Sequence, residues 1–360
     1  MALLCRGHLG IGKTTALKAG STFGDAAVIV LGLMRISWKI RWNQERARYA
    51  LKEVSPLTRF ALGYLRKTIR QRSQISESDF QDLIAEHILG KPFQAEEKAY
   101  FSRVRKEKEI SRWGFVLSFF RLPLKLEKTI YPHSTLDALH AARLDLIQHH
   151  LPPAAEVLDL GGACDYQEEG ALLAMGYRHR PGRILIVDLP VNERHYTEPK
   201  VSPEQLKTGD GTQVDYLYTS MTDLSQVQSA TFQMVWSGQS IEHVTEQDAD
   251  RMLADVYRVL KPEGYFCLDT PNRKVTRLMS EQLIHPEHKI EYLPEQLAAK
   301  LTRHGFVIEK ILAVTPLPIS QRLGRLSKVE ILAEARVAEN YDCGLSFYIQ
   351  CRKPLNSKTA

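Results

Sequence analysis

The chain has 360 residues, 44% hydrophobic and 25% charged, with a net charge of +6. That is the composition of an ordinary soluble, folded protein, long enough for one large domain with an extension or for two domains, and it excludes a fibrous or low-complexity chain. Five cysteines, an odd number with no CxxC pair, point away from a disulfide framework and a zinc site and fit a reducing cytoplasm.

The amino-terminal residues 1–33 are a segment of uncertain standing. Gly7-His-Leu-Gly-Ile-Gly12-Lys13-Thr14 matches the phosphate-binding pattern G-x-x-x-x-G-K-[ST], and Ala2–Cys5 suits an entering strand. A nucleoside-triphosphatase also needs a strand ending in Asp to hold magnesium, and Ala26–Leu33 ends without one. Two readings stand: an ATP- or GTP-binding segment through Gly7–Thr14, or synthesis that begins at Met34. The apolar run Ala26–Met34 is far short of the ~20 residues of a membrane helix, so no transmembrane segment or signal peptide is expected.

Residues 34–150 read as a basic, helical extension or cap. Residues 1–150 hold 25 Lys and Arg against 14 Asp and Glu. The charges alternate with apolar residues at helical spacing, as solvated faces of amphipathic helices do, so nucleic acid is not the expected partner. Ser76-Glu-Ser-Asp79 opens a helix and Gly90-Lys-Pro92 stops it. The most apolar piece, residues 112–126, suits either a cap over a site or peripheral contact with a membrane surface, the cap being the preferred reading. Ser134-Thr-Leu-Asp137 opens a further helix to His150, broken by Leu151-Pro-Pro153.

The rest of the chain is organised by Glu156-Val-Leu-Asp-Leu-Gly-Gly162. Val157, Leu158 and Leu160 make a buried parallel strand, and Gly161–Gly162 turns the backbone at its carboxyl end, where open α/β sheets bind ligands. Arg183-Ile-Leu-Ile-Val-Asp188 returns to the sheet and presents a second carboxylate. Phe232–His243, then Tyr257-Arg-Val-Leu-Lys-Pro-Glu-Gly264 running into Tyr265–Asn272, supply two more strands with their connections. Pro294–His304 reads as a helix, Phe306–Val314 as a strand, Gln321–Glu339 as a helical insertion, and Leu345–Cys351 as the last strand.

Taken together, these motifs in this order resemble the class I S-adenosylmethionine-dependent methyltransferases of the small-molecule, type 11-like group, over residues 130–352. The resemblance implies a Rossmann-like α/β domain at 151–352, followed by a tail at 353–360. Its seven-stranded sheet has the order 3-2-1-4-5-7-6 and an antiparallel last strand. It implies S-adenosylmethionine as cofactor, with Asp159 near its methionine moiety, Gly161 and Gly162 permitting close approach, and Asp188 and Leu189 at the ribose. Ser220, Met221 and Asp223 would frame the adenine, unless they are ordinary loop residues, and Ser237 would line the donor side. Ala163 and Asp165 stand where resembling enzymes usually carry two more glycines.

For catalysis, His243 is the candidate general base, titrating near neutrality, with Glu242 and His288 as neighbours. Alternatively His243 is structural, preceding a helix capped by Thr245–Asp248. His285, Glu287 and His288 lack the spacing of a helical zinc motif, so no metal is expected. The expected activity is methyl transfer to a small-molecule, glycan or lipid-linked acceptor, in the cytoplasm. The alternative is a domain of the same fold that binds a ligand without catalysis.

Overall fold

The computed structural model describes residues 75–120, 131, 134–164, 167–193 and 204–355, together with 63 and 67. The phosphate-loop match Gly7–Thr14, the break at Met34, Asp165 and residues 121–126 therefore lie outside the described residues. These fall into two compact units, one holding Thr135–Leu326 and the chain from Glu330 on, the other the residues before Thr135 with Ser327–Val329.

The smaller unit is helical. Helix α1 spans Glu77–Ile84, and its amino end is closed by the Ser76 hydroxyl, which accepts from the Asp79 amide at 3.1 Å. A single π turn at Ala85–Leu89 follows and stops at Gly90, whose φ of 65° suits a residue without Cβ. Helix α2 spans Ala95–Glu107, where the Glu97 carboxylate reaches back to the Gln94 amide at 2.8 Å. Helix α3 spans Arg112–Leu117.

Phe80, Phe93, Phe101, Phe115 and Phe119 are all buried and stack against one another, with the Phe101 and Phe115 centroids 5.0 Å apart. These include Phe115 and Phe119 of residues 112–126, the stretch read as a cap or a membrane contact, whose described part thus turns these side chains inward. Phe115 and Phe119 belong to the core of their own helical unit, together with Ile84, Val104, Ile110, Val116 and Leu117.

The larger unit opens with α4, Thr135–His149, followed by β1, Glu156–Leu160, and a short helix α5, Ala171–Ala174. Strands β2 (Arg183–Asp188), β3 (Gln205–Lys207), β4 (Gln213–Tyr218) and β5 (Phe232–Gly238) lead to α6, Glu246–Val259. The apolar residues of α6, Ala249, Met252, Leu253, Val256 and Val259, recur at helical spacing and are all buried. Then come β6 (Leu260–Pro271), α7 (Arg273–Thr276), α8 (Pro294–Arg303), β7 (Val307–Pro316), α9 (Pro318–Leu323), α10 (Lys328–Ala333), β8 (Val337–Ala338) and β9 (Gly344–Arg352).

The sheet runs β3-β4-β2-β1-β5-β6-β9-β7-β8. It has nine strands where seven were expected. The two additions are the outermost: β3 pairs antiparallel with β4, and β8 antiparallel with β7. Both are too short, at three and two residues, to leave an alternating pattern in the sequence, and β8 lies in the segment read as a helical insertion. Strands β4, β2, β1, β5 and β6 are parallel, and β9 runs antiparallel to both β6 and β7.

Both faces are covered. Leu158 and Leu160 of β1 join Val235, Met252, Leu253, Phe266 and Phe306 on one side. Val157 joins Ile184, Ile186, Met234, Trp236, Leu146 and Tyr348 on the other. A strand buried on both faces reads as a continuous apolar run, which is why β1 and β2 stand out in the sequence.

Among the described residues no helix is long and apolar enough to cross a membrane. Of the described cysteines, Cys267, Cys343 and Cys351 are buried and Cys164 is half-buried, and none is in a disulfide.

Candidate active site

The carboxyl ends of β1, β2, β5 and β6 bring the titratable residues together. At the end of β1 the chain turns through Gly161, whose φ of +73° favours glycine, and a Cβ there would meet the Ser240 Cβ at 3.0 Å. The second glycine is required for a different reason. A Cβ on Gly162 would stand 2.0 Å from Oδ2 of Asp159, so the turn folds directly over that carboxylate.

Asp159 is 2% exposed, and its Oδ2 has no hydrogen-bond partner among the described residues. Burial, aided by the nearby Asp188 carboxylate, pushes its pKa up to about 8. An orphaned buried oxygen is costly unless a ligand completes it. Asp188 ends β2, beside β1, and accepts from the Ala163 amide at 3.0 Å and the Leu189 amide at 2.8 Å. Its carboxylate thus holds the glycine turn in place.

The other donor-side candidates separate. Ser237 is fully buried and shares a hydrogen bond of 2.6 Å with Ser240, which ties the end of β5 to the turn beside Gly161. Leu189 is 37% exposed at the mouth of the β2 end. Ser220 bonds Thr222 at 2.8 Å and Met221 packs against the core. Asp223 is exposed and accepts from the Ser225 amide at 3.1 Å; the Ser225 side chain first and this amide second hold its pKa below the usual carboxylate range, which makes it a turn-closing residue.

Beyond β5 a single 3₁₀ turn, Ile241–His243, carries the catalytic candidates. Glu242 is buried, takes a hydrogen bond from the Thr270 hydroxyl at 3.0 Å, and is pushed up to about 7 by desolvation. The Lys289 amide donates to the Glu242 carbonyl at 2.8 Å, which pins the segment His285–His288 against this turn.

His243 and His288 consequently meet edge to face, ring centres 5.0 Å apart, with His285 5.3 Å from His288. Burial first, and then the neighbouring His288, push His243 down to about 4. The expectation of a base titrating near neutrality is therefore corrected: the imidazole is neutral in ordinary buffers but weakly basic, because its cation would be desolvated beside other imidazoles. Thr245 does cap α6, accepting from the Asp248 amide at 3.2 Å.

His288 is oriented from behind. Its Nδ1 lies 2.9 Å from Oε1 of Glu291. Burial would raise the Glu291 carboxyl, but bonds from His288, the Thr276 hydroxyl and the Ile284 amide outweigh it and hold the group at about 2. One ligand atom each of Glu242, His243 and His288 lies within 4.8 Å of the others.

A buried ion pair joins the two sides, and sequence reasoning missed it. Arg143 on α4 reaches Asp269 of β6 at 3.2 Å, and Gln239, after β5, donates to the same carboxylate at 2.7 Å. Their side chains are only 7% and 0% exposed. The one available signal was an arginine on an otherwise apolar face of the helix before β1.

Residues 169–268 match the family described as "Methyltransferase domain". The match begins beyond the turn in which Ala163 and Asp165 replace the usual glycines. The chain is 28% identical over 220 residues to a ubiquinone biosynthesis O-methyltransferase of Xanthomonas axonopodis pv. citri (strain 306), covering 56% of this chain and 83% of that protein. It is 27% identical over 199 residues to an enzyme of the same name from Xylella fastidiosa (strain 9a5c), covering 50% and 72%. Among solved structures it is similar to a SAM-dependent methyltransferase from Archaeoglobus fulgidus, with TM-score 0.39 and 18% identity over 60% of this chain and 93% of that one. Over the matched segment the chain resembles the class I S-adenosylmethionine-dependent methyltransferases.

Proposed function

We propose that this S-adenosylmethionine-dependent methyltransferase methylates a hydroxyl oxygen of a small-molecule or lipid-linked acceptor. The observation that carries the reading is the buried Oδ2 of Asp159, without a hydrogen-bond partner among the described residues, beneath the Gly161–Gly162 turn and beside Asp188 on the neighbouring parallel strand. A donor bearing an ammonium and a sulfonium supplies what that oxygen lacks, while a ribose suits the carboxylate at the end of β2. The donor fits the residues present.

S-adenosylmethionine supplies an electrophilic methyl group on sulfur. The chain's part is to bind and orient. Asp159 and the glycine turn hold the donor's charged end, Asp188 and Leu189 its ribose side, and Met221 offers an apolar contact. Glu242, His243 and His288 face the acceptor. Because the methyl is already reactive, alignment of donor and acceptor supplies much of the rate. Oxygen is favoured as the target because the two Xanthomonas and Xylella relatives are named O-methyltransferases.

The test is calorimetry of the full chain with S-adenosylhomocysteine and, in parallel, ATP, followed by transfer of labelled methyl to matched phenol and amine acceptors. Saturable binding of S-adenosylhomocysteine with label on the phenol is the expected result. A folded protein that binds ATP but no S-adenosylhomocysteine would overturn the reading.

A further inference from the structure

We propose that Glu242, His243 and His288 form a binding site for one divalent transition-metal cation, zinc foremost, whose open coordination positions receive the acceptor oxygen. Three ligand atoms, one from each side chain, lie within 4.8 Å of one another. Zinc ligands about 2.0–2.2 Å from one ion stand roughly 3–3.5 Å apart, so small side-chain rotations close the set.

The outer contacts are those a ligating set needs. With Nδ1 committed to Glu291, His288 has Nε2 left for coordination, and Glu291 is itself fixed by Thr276 and the Ile284 amide. A carboxylate behind a histidine in this way sets its tautomer and raises its strength as a ligand. Glu242 is likewise oriented by the Thr270 hydroxyl on Oε2. Two imidazoles and one carboxylate suit zinc, iron(II) or manganese(II) better than calcium or magnesium, which prefer an all-oxygen set.

Position gives the cation its use. The turn that carries Glu242 and His243 also carries Ser240, whose Cβ abuts the donor turn at Gly161. Three protein ligands leave room for an acceptor hydroxyl, as in catalytic rather than structural zinc sites. A hydroxyl bound there releases its proton to water, its oxygen lone pair forms the new O–CH₃ bond, and the electron pair of the broken S–CH₃ bond stays on sulfur. No strongly basic side chain is then required. This role rests on the methyl-transfer reading; binding of the cation does not.

The experiment uses the untagged full chain, dialysed against chelator and titrated with ZnCl₂ by calorimetry and with CoCl₂ by visible absorption. S-adenosylhomocysteine binding is measured on the same samples. One equivalent of cation should bind. His243→Asn and His288→Asn should each weaken it at least a hundredfold, and Glu291→Gln ten- to a hundredfold. Absence of saturable binding in the wild type, or unchanged affinity in both histidine variants, overturns the site, and the wild-type arm stands even if a variant misfolds. S-adenosylhomocysteine binding without cation binding sinks the site and spares the methyl-transfer reading. Cation binding without S-adenosylhomocysteine binding keeps the site and removes its catalytic role.

Discussion

The proposed donor half of the site hangs on β1, β2 and the turn between Asp159 and Gly162, whereas the proposed acceptor half draws His243 and His288 from segments 45 positions apart in the chain. The first is built by secondary structure: two parallel strands in register, Asp159 opposite Ile186, deliver two carboxylates to one edge. The second is built by long-range contacts, chiefly the Glu242 carbonyl receiving the Lys289 amide, and Glu291 gripping His288. A strand end tolerates change around it; a cluster held by hydrogen bonds depends on each of them.

The sharpest way to break the comparison is to loosen the joint between the halves. Arg143→Met leaves Asp269 buried without its charge partner, with the Gln239 side-chain amide still donating to it, and breaking a buried pair costs about 3–5 kcal/mol. Urea denaturation should show that loss; a change under about 1 kcal/mol would mean that the halves are fixed independently of this pair. Next in size, Asp188→Ala should weaken S-adenosylhomocysteine binding by about 1.5–3 kcal/mol, the worth of hydrogen bonds to a charged group. Calorimetry checks it, and unchanged affinity in a folded variant removes Asp188 from the donor site.

A third test reads the donor half through pH. Asp159 has a folded pKa raised to about 8, against ~3.9 in an unfolded chain, so between those values the folded state holds the extra proton. Its contribution to stability is full below about pH 4 and is lost as pH rises toward 8. In Asp159→Asn that loss should vanish, so melting curves of wild type and variant should diverge as pH rises; parallel curves would place the proton elsewhere. The smallest effect belongs to Thr245→Ala, which removes the cap of α6 and should cost about 1 kcal/mol while donor affinity stays within twofold. A larger shift in donor affinity would show that α6 helps set the donor half.

The same contrast explains what the sequence could reveal. Val157–Leu160 and Ile184–Val187 are apolar runs because both faces of their strands are covered, so the central sheet and the two carboxylates at its edge were legible. The outer strands were not, since Val337–Ala338 is a strand only by pairing with Ala313 and Val314. The phenylalanines of residues 112–119 declared their apolarity but not their partners, Phe80, Phe93 and Phe101, which come from two other helices or their approaches. His288 was visible as a candidate. Its meeting with Glu242 and His243 was not, because a search for ligand spacing within one helix cannot find a set that a main-chain hydrogen bond assembles.

The distribution of the described thiols has a consequence for how this protein ages. Burial pushes the Cys267 thiol up to about 12 and holds Cys343 and Cys351 above their ordinary value, so these three are poor nucleophiles. Cys164, half-buried, stands two residues beyond Gly162 in the chain. Among the described residues, alkylating reagents therefore meet their most accessible thiol next to the glycine turn proposed to hold the donor. Thiol modification should be read first as weakened donor binding, before any loss of the folded sheet.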